Sequence, residues 1–268
     1  MQKLKQLVCS FFIAFSMYSK IPMPHCEWKK ENMRYVMCFF PLIGIAIGAC
    51  YEILLYVFLH TKLHGTIFAS IVLLLVPVMI TGGIHMDGLL DTFVAVFSYG
   101  TKEKRLEILK DSRAGAFAVI GASVYFLFYF GILNFLETHT TSYNQDFWLI
   151  IGMGFLISRT LSGLAVIAFP KAKNTGLAAM FSDEAQKRNC FLCLSGFLII
   201  EMILLCAIQP LYALVIFLLI FLFYIYYYKM SQSIFGGITG DLAGWFLQIC
   251  ELLIAFGAML VFLFKGGM

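Results

Sequence analysis

A series of apolar stretches, each close to the length that crosses a bilayer, constrains this chain more than any other feature. A spanning helix needs about 20 mostly apolar residues. Such stretches occupy roughly 34–60, 65–83, 115–137, 147–170, 190–208, 210–228 and 242–264, with a weaker one at roughly 7–20. Lipid offers no partner for free backbone N–H and C=O groups, so runs of this length are read as helices. Composition agrees, with 61% hydrophobic and 13% charged residues and a mean hydropathy of +0.89. Soluble domains run nearer half apolar and a quarter charged. The expected fold is all-α: a polytopic integral membrane protein of seven to eight transmembrane or membrane-embedded helices. Residues 1–268 then form a single membrane domain.

Lys3 and Lys5 precede the run Leu7–Met17 as they would in a signal peptide. Ser19-Lys20-Ile21-Pro22 follows in place of a small-x-small cleavage site, so a retained segment, short or interfacial, is expected. The eight cysteines are scattered, mostly inside apolar runs, and suggest no disulfide framework. Cys190-x-x-Cys193 has no second pair and is read as two small buried hydrophobes.

Lysine and arginine placement orients the chain. Lys20, Lys29, Lys30 and Arg34 fall in 20–34. Lys102, Lys104, Arg105, Lys110 and Arg113 fall in 84–114. Lys171, Lys173, Lys187 and Arg188 fall in 171–189, and Lys229 precedes the last run. Seven crossings from residue 34 put all of these on one side, and only Lys62 and Lys265 on the other. The rich side is expected to be cytoplasmic. Asp87, Asp91, Glu107, Asp111, Asp183 and Asp241 lie on that same side. The net charge of +4 fits this bias and gives no nucleic-acid signal.

The densest chemistry lies in Thr81–Gly115, where Gly82 and Gly83 end one run and permit a close turn. Asp87 and Asp91 are spaced i, i+4 and share one helical face. Two such carboxylates repel unless a cation sits between them, and Mg²⁺ is commonly held by one or two carboxylates together with substrate phosphates. The alternative is a helix-capping Asp87 and a solvated Asp91. Gly88 would let a phosphate or metal approach the backbone. Lys102–Lys110 reads as an amphipathic surface helix. It ends in Lys110-Asp111-Ser112-Arg113, cationic donors just before a helix start, a pattern suited to phosphate oxygens. His85 is left open between metal ligand, general base and hydrogen-bonded turn residue.

Gly82-Gly83-Ile84 and Gly236-Gly237-Ile238 are each followed three residues later by an aspartate, Asp87 and Asp241. The second copy adds Thr239 as a helix cap and Gly240 as a further free backbone position. Gly244, Gln248 and Glu251 continue one face of the helix that follows. Glu251 is expected to be protonated, paired or turned to a cavity, and Arg159 needs an acidic or phosphate partner.

These residues are similar to the cobalamin synthase (adenosylcobinamide-GDP ribazoletransferase) family. The resemblance rests on GGIHMDGLLDT, LEILKDSRAGAFAVI and FGGITGDLAG with Glu251 beyond it. It extends to Ile21-Pro22-Met23-Pro24, Pro41-Leu42-Ile43-Gly44, and Pro170 followed by Gly176-Leu177, and so covers nearly the whole chain. It implies a multi-pass enzyme of the cell (inner) membrane that joins adenosylcobinamide-GDP to α-ribazole or its 5′-phosphate, with Mg²⁺, and releases GMP. Under it, Asp87 and Asp91 are the expected Mg²⁺ ligands, with Asp111 and Asp241 as further ligands. Gly88, Lys110, Ser112, Arg113, Arg159, Lys173, Thr239 and Gly240 are expected at the substrate, and His85, Asp87 or Asp91 in catalysis.

Two positions depart from the family pattern. It places a third Asp three residues beyond Asp91, where this chain has Val94. Either Asp111 or Asp241 substitutes, or the chain is a weakened or inactive variant. An Arg of the family stands here as Lys173, which keeps the charge and loses bidentate geometry. The competing classes are a phospholipid head-group phosphotransferase, whose fuller aspartate pattern is absent, and a secondary transporter. Against the transporter, charge gathers at one side instead of mid-membrane. The lipid bilayer is the expected surrounding, and the sequence leaves a homo-oligomer open.

Overall fold

The computed structural model describes residues 2–111, 113, 115–139 and 146–265. The chain runs α1 (Gln2–Tyr18), α2 (Lys30–Met33), α3 (Val36–Leu59), α4 (Ile67–Thr81), α5 (Ile84–Phe97) and α6 (Lys102–Ile108). It continues α7 (Ala116–His139), α8 (Asp146–Ala168), α9 (Leu177–Glu184), α10 (Lys187–Ile208) and α11 (Pro210–Met230). A π-helical turn, Ser231–Phe235, then leads to α12 (Gly240–Phe264). Among the described residues there is no strand, only an isolated bridge between Lys171 and Ile238. The all-α, multi-span expectation therefore holds.

Six helices are long and apolar enough to cross a membrane: α3, α7, α8, α10, α11 with its π turn, and α12. The seventh expected span is broken. α4 and α5 meet that test only as a pair, and they bend by 96° at Gly82-Gly83. The weak N-terminal run forms α1, whose 17 residues fall short of a span. α1 buries Ile13, Ala14 and Phe15 and exposes Lys3, Leu4 and Lys5, so its second half packs on the bundle and its first turns do not.

α8 is the axis of the bundle. Its apolar window is 89% buried, against 17% for α10, whose apolar surface faces outward. Close approach to α8 depends on glycine. A Cβ at Gly48 of α3 would stand 2.6 Å from the carbonyl oxygen of Gly152, so the two backbones touch there. Gly44, one turn earlier, meets Phe155 in the same way. Small residues four apart permit this contact where lipid supplies no hydrophobic drive between helices.

Polar side chains inside the bundle are tied across it. Arg159 of α8, fully buried, bonds Glu251 of α12 at 2.7 Å and the Phe155 carbonyl at 2.7 Å. Ser158 donates to the same carboxylate at 3.1 Å. Tyr125 donates to Gln248 at 2.6 Å, and Thr160 to Glu201 at 2.6 Å. Apart from the Arg159–Phe155 bond inside α8, each of these joins two different helices, so the groups fix the relative rotation of their helices.

Candidate active site

The first Gly-Gly-Ile builds a corner. Gly82 caps α4 at φ 65° and Gly83 opens α5 at φ 79°, both left-handed. Residues with a Cβ avoid that region at a cost of roughly 1–2 kcal/mol each. A side chain at Gly82 would also collide with Lys20, whose N–H bonds the Ile80 carbonyl at 2.7 Å. α5 therefore leaves α4 nearly at a right angle, carrying His85, Asp87 and Asp91.

The second Gly-Gly-Ile builds the opposing wall. After the π turn, Gly236 (φ 78°) and Gly237 (φ 152°) reverse the chain. A Cβ at Gly237 would lie 2.6 Å from the Pro170 carbonyl oxygen. Ile238 N–H donates to Pro170 at 2.9 Å, and Ala172 N–H donates to Ile238 at 3.0 Å. This two-bond bridge brings the segment after α8, and Lys173 with it, beside the start of α12. Thr239 caps α12 by accepting from the Leu242 N–H at 3.2 Å, which leaves Asp241 in the first turn.

The two walls meet where α5 crosses α12. A Cβ at Gly88 would stand 2.7 Å from the Asp241 carbonyl oxygen, and one at Gly244 would stand 3.1 Å from that of His85. Each helix thus places a glycine against the other's backbone next to the other's key residue. Gly88 was expected to admit a phosphate or metal; its Cβ position is instead filled by α12, although the residue still edges the pocket.

A cavity of about 390 Å³ opens at this crossing. Asp87, Lys173, Thr239, Gly240 and Asp241 line its polar side. Met17 and Tyr18 of α1, with Met37 and Phe40 of α3, line its apolar side. Asp91, half-buried one turn beyond Asp87, lies off the wall yet feels the charges of both Asp87 and Asp241. Lys173 faces Asp241. Burial pulls its ammonium below the usual lysine range and nearby Lys110 adds to this, while Asp241 opposes both.

The remaining expected residues divide. Lys110 stands exposed within electrostatic reach of Lys173. Asp111 is clasped by Arg113, whose Nε and Nη2 donate to it at 2.9 and 2.7 Å, and the guanidinium holds its carboxyl down at about 2. Both are outside the cavity wall. Ser112 lies outside the described residues. Arg159, expected either on an acid of a neighbouring helix or at the substrate, is sealed inside the bundle on Glu251, and α8 offers the cavity only Ser162 and Val166. Val94 is on the same helix as Asp91, and Gly115, before α7, faces it: a Cβ there would lie 3.6 Å from the valine methyl.

His85 is 5% exposed, edges the cavity, and has no hydrogen-bond partner for either ring nitrogen among the described residues. Its ring stacks on Tyr18 with centroids 5.8 Å apart and planes 8° apart. Sequence reasoning missed this aromatic wall. Met17 and Tyr18 come from α1 and Leu177–Ala179 from α9, and no periodicity or spacing connects them to Asp87.

Among the described residues no group of three or more His, Cys, Asp or Glu side chains is placed to hold a metal ion by itself. The acids present are a set of mutually repelling carboxylates, two of them on an open wall beside a lysine. That donor set fits a hard oxygen-seeking cation that leaves most positions to water and phosphate, as Mg²⁺ does.

The fold and pocket define a class: a multi-span helical membrane protein with an acidic, lysine-flanked pocket at one end of the bundle. The cobalamin-5-phosphate synthase profile matches residues 10–259. An adenosylcobinamide-GDP ribazoletransferase of Lachnoclostridium phytofermentans is 46% identical over 244 residues, 91% of this chain and 90% of its own. One from Treponema denticola is 32% identical over 258 residues, covering 91% and 95%. One from Clostridium botulinum (strain Alaska E43 / Type E3) is 30% identical over 262 residues, covering 96% and 99%. No solved structure gives a significant match. The chain belongs to the cobalamin-5-phosphate synthase family. It is a transferase of cobalamin biosynthesis embedded in a membrane.

Proposed function

We propose that this protein transfers the adenosylcobinamide phosphate of adenosylcobinamide-GDP to α-ribazole or its 5′-phosphate, releasing GMP. The observation that carries this reading is the meeting of Asp87, Asp91, Asp241 and Lys173 at the crossing of α5 and α12. A hydroxyl oxygen of the acceptor attacks the corrinoid-side phosphorus of the diphosphate. The new P–O bond forms as the bond to the GMP oxygen breaks, and GMP departs with its electron pair. The acceptor's proton passes to a carboxylate of the set. The ammonium of Lys173 sits where it can take charge building on the departing phosphate, and Lys110 and Arg113 extend that positive edge outward. Catalysis here is positioning and charge stabilisation, since phosphoryl transfer asks little covalent chemistry of the protein.

Asp87 and Asp241, with Asp91 behind them, are the residues that would hold Mg²⁺, which when bound supplies charge neutralisation for the diphosphate and for the acids themselves. The lysine- and arginine-rich end of the bundle faces the cytoplasm by the positive-inside bias, so the pocket takes its substrates from that side.

Purified protein given adenosylcobinamide-GDP, α-ribazole and Mg²⁺ is expected to release GMP, measured by chromatography. Val94→Asp is the second arm. Turnover that appears only in Val94→Asp makes the chain a disabled variant of the same enzyme. No GMP from either protein sinks the assignment.

A further inference from the structure

The cavity is lined by two kinds of side chain, and only one is accounted for by phosphoryl transfer. Asp87, Asp241, Lys173 and Thr239 are polar. Met17, Tyr18, Met37 and Phe40 are apolar or aromatic, and Tyr18 and Phe40 pack against His85. The His85 ring lies 5.8 Å from Tyr18, stacked, and 5.8 Å from Phe40, tilted by 51°. Both imidazole nitrogens are buried without a partner among the described residues, an arrangement native proteins avoid unless a ligand or water completes it. No carboxylate is bonded to the ring to orient it or to stabilise an imidazolium, as the base of a catalytic pair normally requires. His85 therefore has the setting of a recognition group, an imidazole with both ring nitrogens unpartnered among the described residues and two aromatic rings against it.

We propose that the wall formed by His85, Tyr18 and Phe40 seats the base of the acceptor nucleoside, with His85 as the polar contact that orients it. This deepens, and rests on, the ribazoletransferase reading. Three observations select the acceptor over the donor. The cavity, at about 390 Å³, is near the low end of the ~300–1,000 Å³ of small-molecule sites, enough for a nucleoside and far too small for a corrinoid. A benzimidazole base presents wide apolar faces and one free ring nitrogen, which matches two thioethers, two aromatic rings and a single imidazole N–H donor. Guanine carries a row of donors and acceptors along its edge, and this wall would leave most of them unpaired. His85 and Asp87 line the same cavity, so a nucleoside whose base sits beside His85 is in the same cavity as the acids. His85 is then a positioning residue of the acceptor, and the proton of its attacking hydroxyl goes to an aspartate.

The test is equilibrium binding of α-ribazole to the full-length protein in detergent, by calorimetry, without Mg²⁺ or donor. His85→Phe keeps ring volume and removes the nitrogens; about a tenfold weaker α-ribazole affinity is expected, with adenosylcobinamide-GDP binding changed less than about twofold. Tyr18→Leu, at the end of α1 and outside both crossing helices, is expected to weaken α-ribazole several-fold. Free dimethylbenzimidazole is expected to compete with α-ribazole, and guanosine is not. In turnover, His85→Phe is expected to raise KM for α-ribazole while kcat at saturating acceptor stays within about threefold. A collapse of kcat at every acceptor concentration makes His85 a proton-transfer group and overturns the proposal. So do unchanged α-ribazole binding in both variants, equal losses for donor and acceptor, or displacement by guanosine. Wild-type protein that releases GMP while His85→Phe behaves normally refutes the base seat alone; wild-type protein that binds neither substrate refutes the functional reading as well.

Discussion

Asp87 and Asp241 are 154 positions apart in the chain, yet they share one cavity wall, and the consequences are sharpest at single side chains. Asp87→Asn or Asp241→Asn is expected to lower GMP release by roughly 10²–10³-fold, the scale of losing one transition-state charge contact. Asp111→Asn is expected to lower it by less than about threefold, because that carboxylate is exposed and occupied by Arg113. An Asp111→Asn loss as large as Asp87→Asn would return Asp111 to the metal set. Lys173 supplies a pH test. Burial lowers its pKa, so the ammonium that grips phosphate is lost at a lower pH than an ordinary lysine would lose it. Affinity for adenosylcobinamide-GDP is expected to fall as pH rises through that lowered value. Lys173→Arg, which stays protonated, is expected to move the alkaline limb upward; an unmoved limb assigns it to another group. At this scale the aspartates were legible from their spacing and their Gly-Gly-Ile context. The pairing of Arg159 was not, because its partner lies 92 residues away on another helix and local sequence cannot choose between an acid and a phosphate.

Among the elements, α5 and α12 decide whether the site exists. Gly88→Ala pushes a methyl into the Asp241 backbone, where no flexible side chain can yield, and overpacking of this kind costs about 1–3 kcal/mol. The helices must separate, and Asp87 and Asp241 with them, so activity is expected to fall by more than tenfold. Gly83→Ala meets no atom within 4 Å and strains only its left-handed φ. It is expected to cost about 1–2 kcal/mol of stability and leave kcat near wild type. Paired assays of turnover and unfolding midpoint separate the two, and equal activity in both variants would deny the crossing its role. The spans themselves were legible from hydropathy, and the two glycine pairs marked real breaks. The 96° turn was not legible: glycine permits positive φ without requiring it, and the Lys20 N–H that bonds the Ile80 carbonyl beside the corner comes from a distant segment that a reading of 65–83 as one span left out.

Across the whole molecule, the bundle is pinned by charge buried between α8 and α12. Glu251→Ala leaves Arg159 alone in a dry interior, a change typically worth 3–5 kcal/mol, and a markedly lower unfolding midpoint in detergent is expected. The double change Arg159→Met with Glu251→Leu is expected to recover most of that loss, since well-packed apolar residues commonly replace a buried pair at little cost. Failure of the double change to outperform Glu251→Ala would mean that the pair is held by further groups. The same pair has a bearing on how the protein is made. α8 leaves the ribosome well before Glu251 is synthesised, and 92 residues at about 5–20 residues per second is a delay of several seconds. For that interval an arginine must sit in, or wait outside, a hydrocarbon layer that opposes it by about 2.5–3.5 kcal/mol. Membrane entry of the fourth crossing is thereby tied to synthesis of the last one, so a chain truncated before α12 should be recognised by quality control as an unfinished protein, whatever the state of the helices already made.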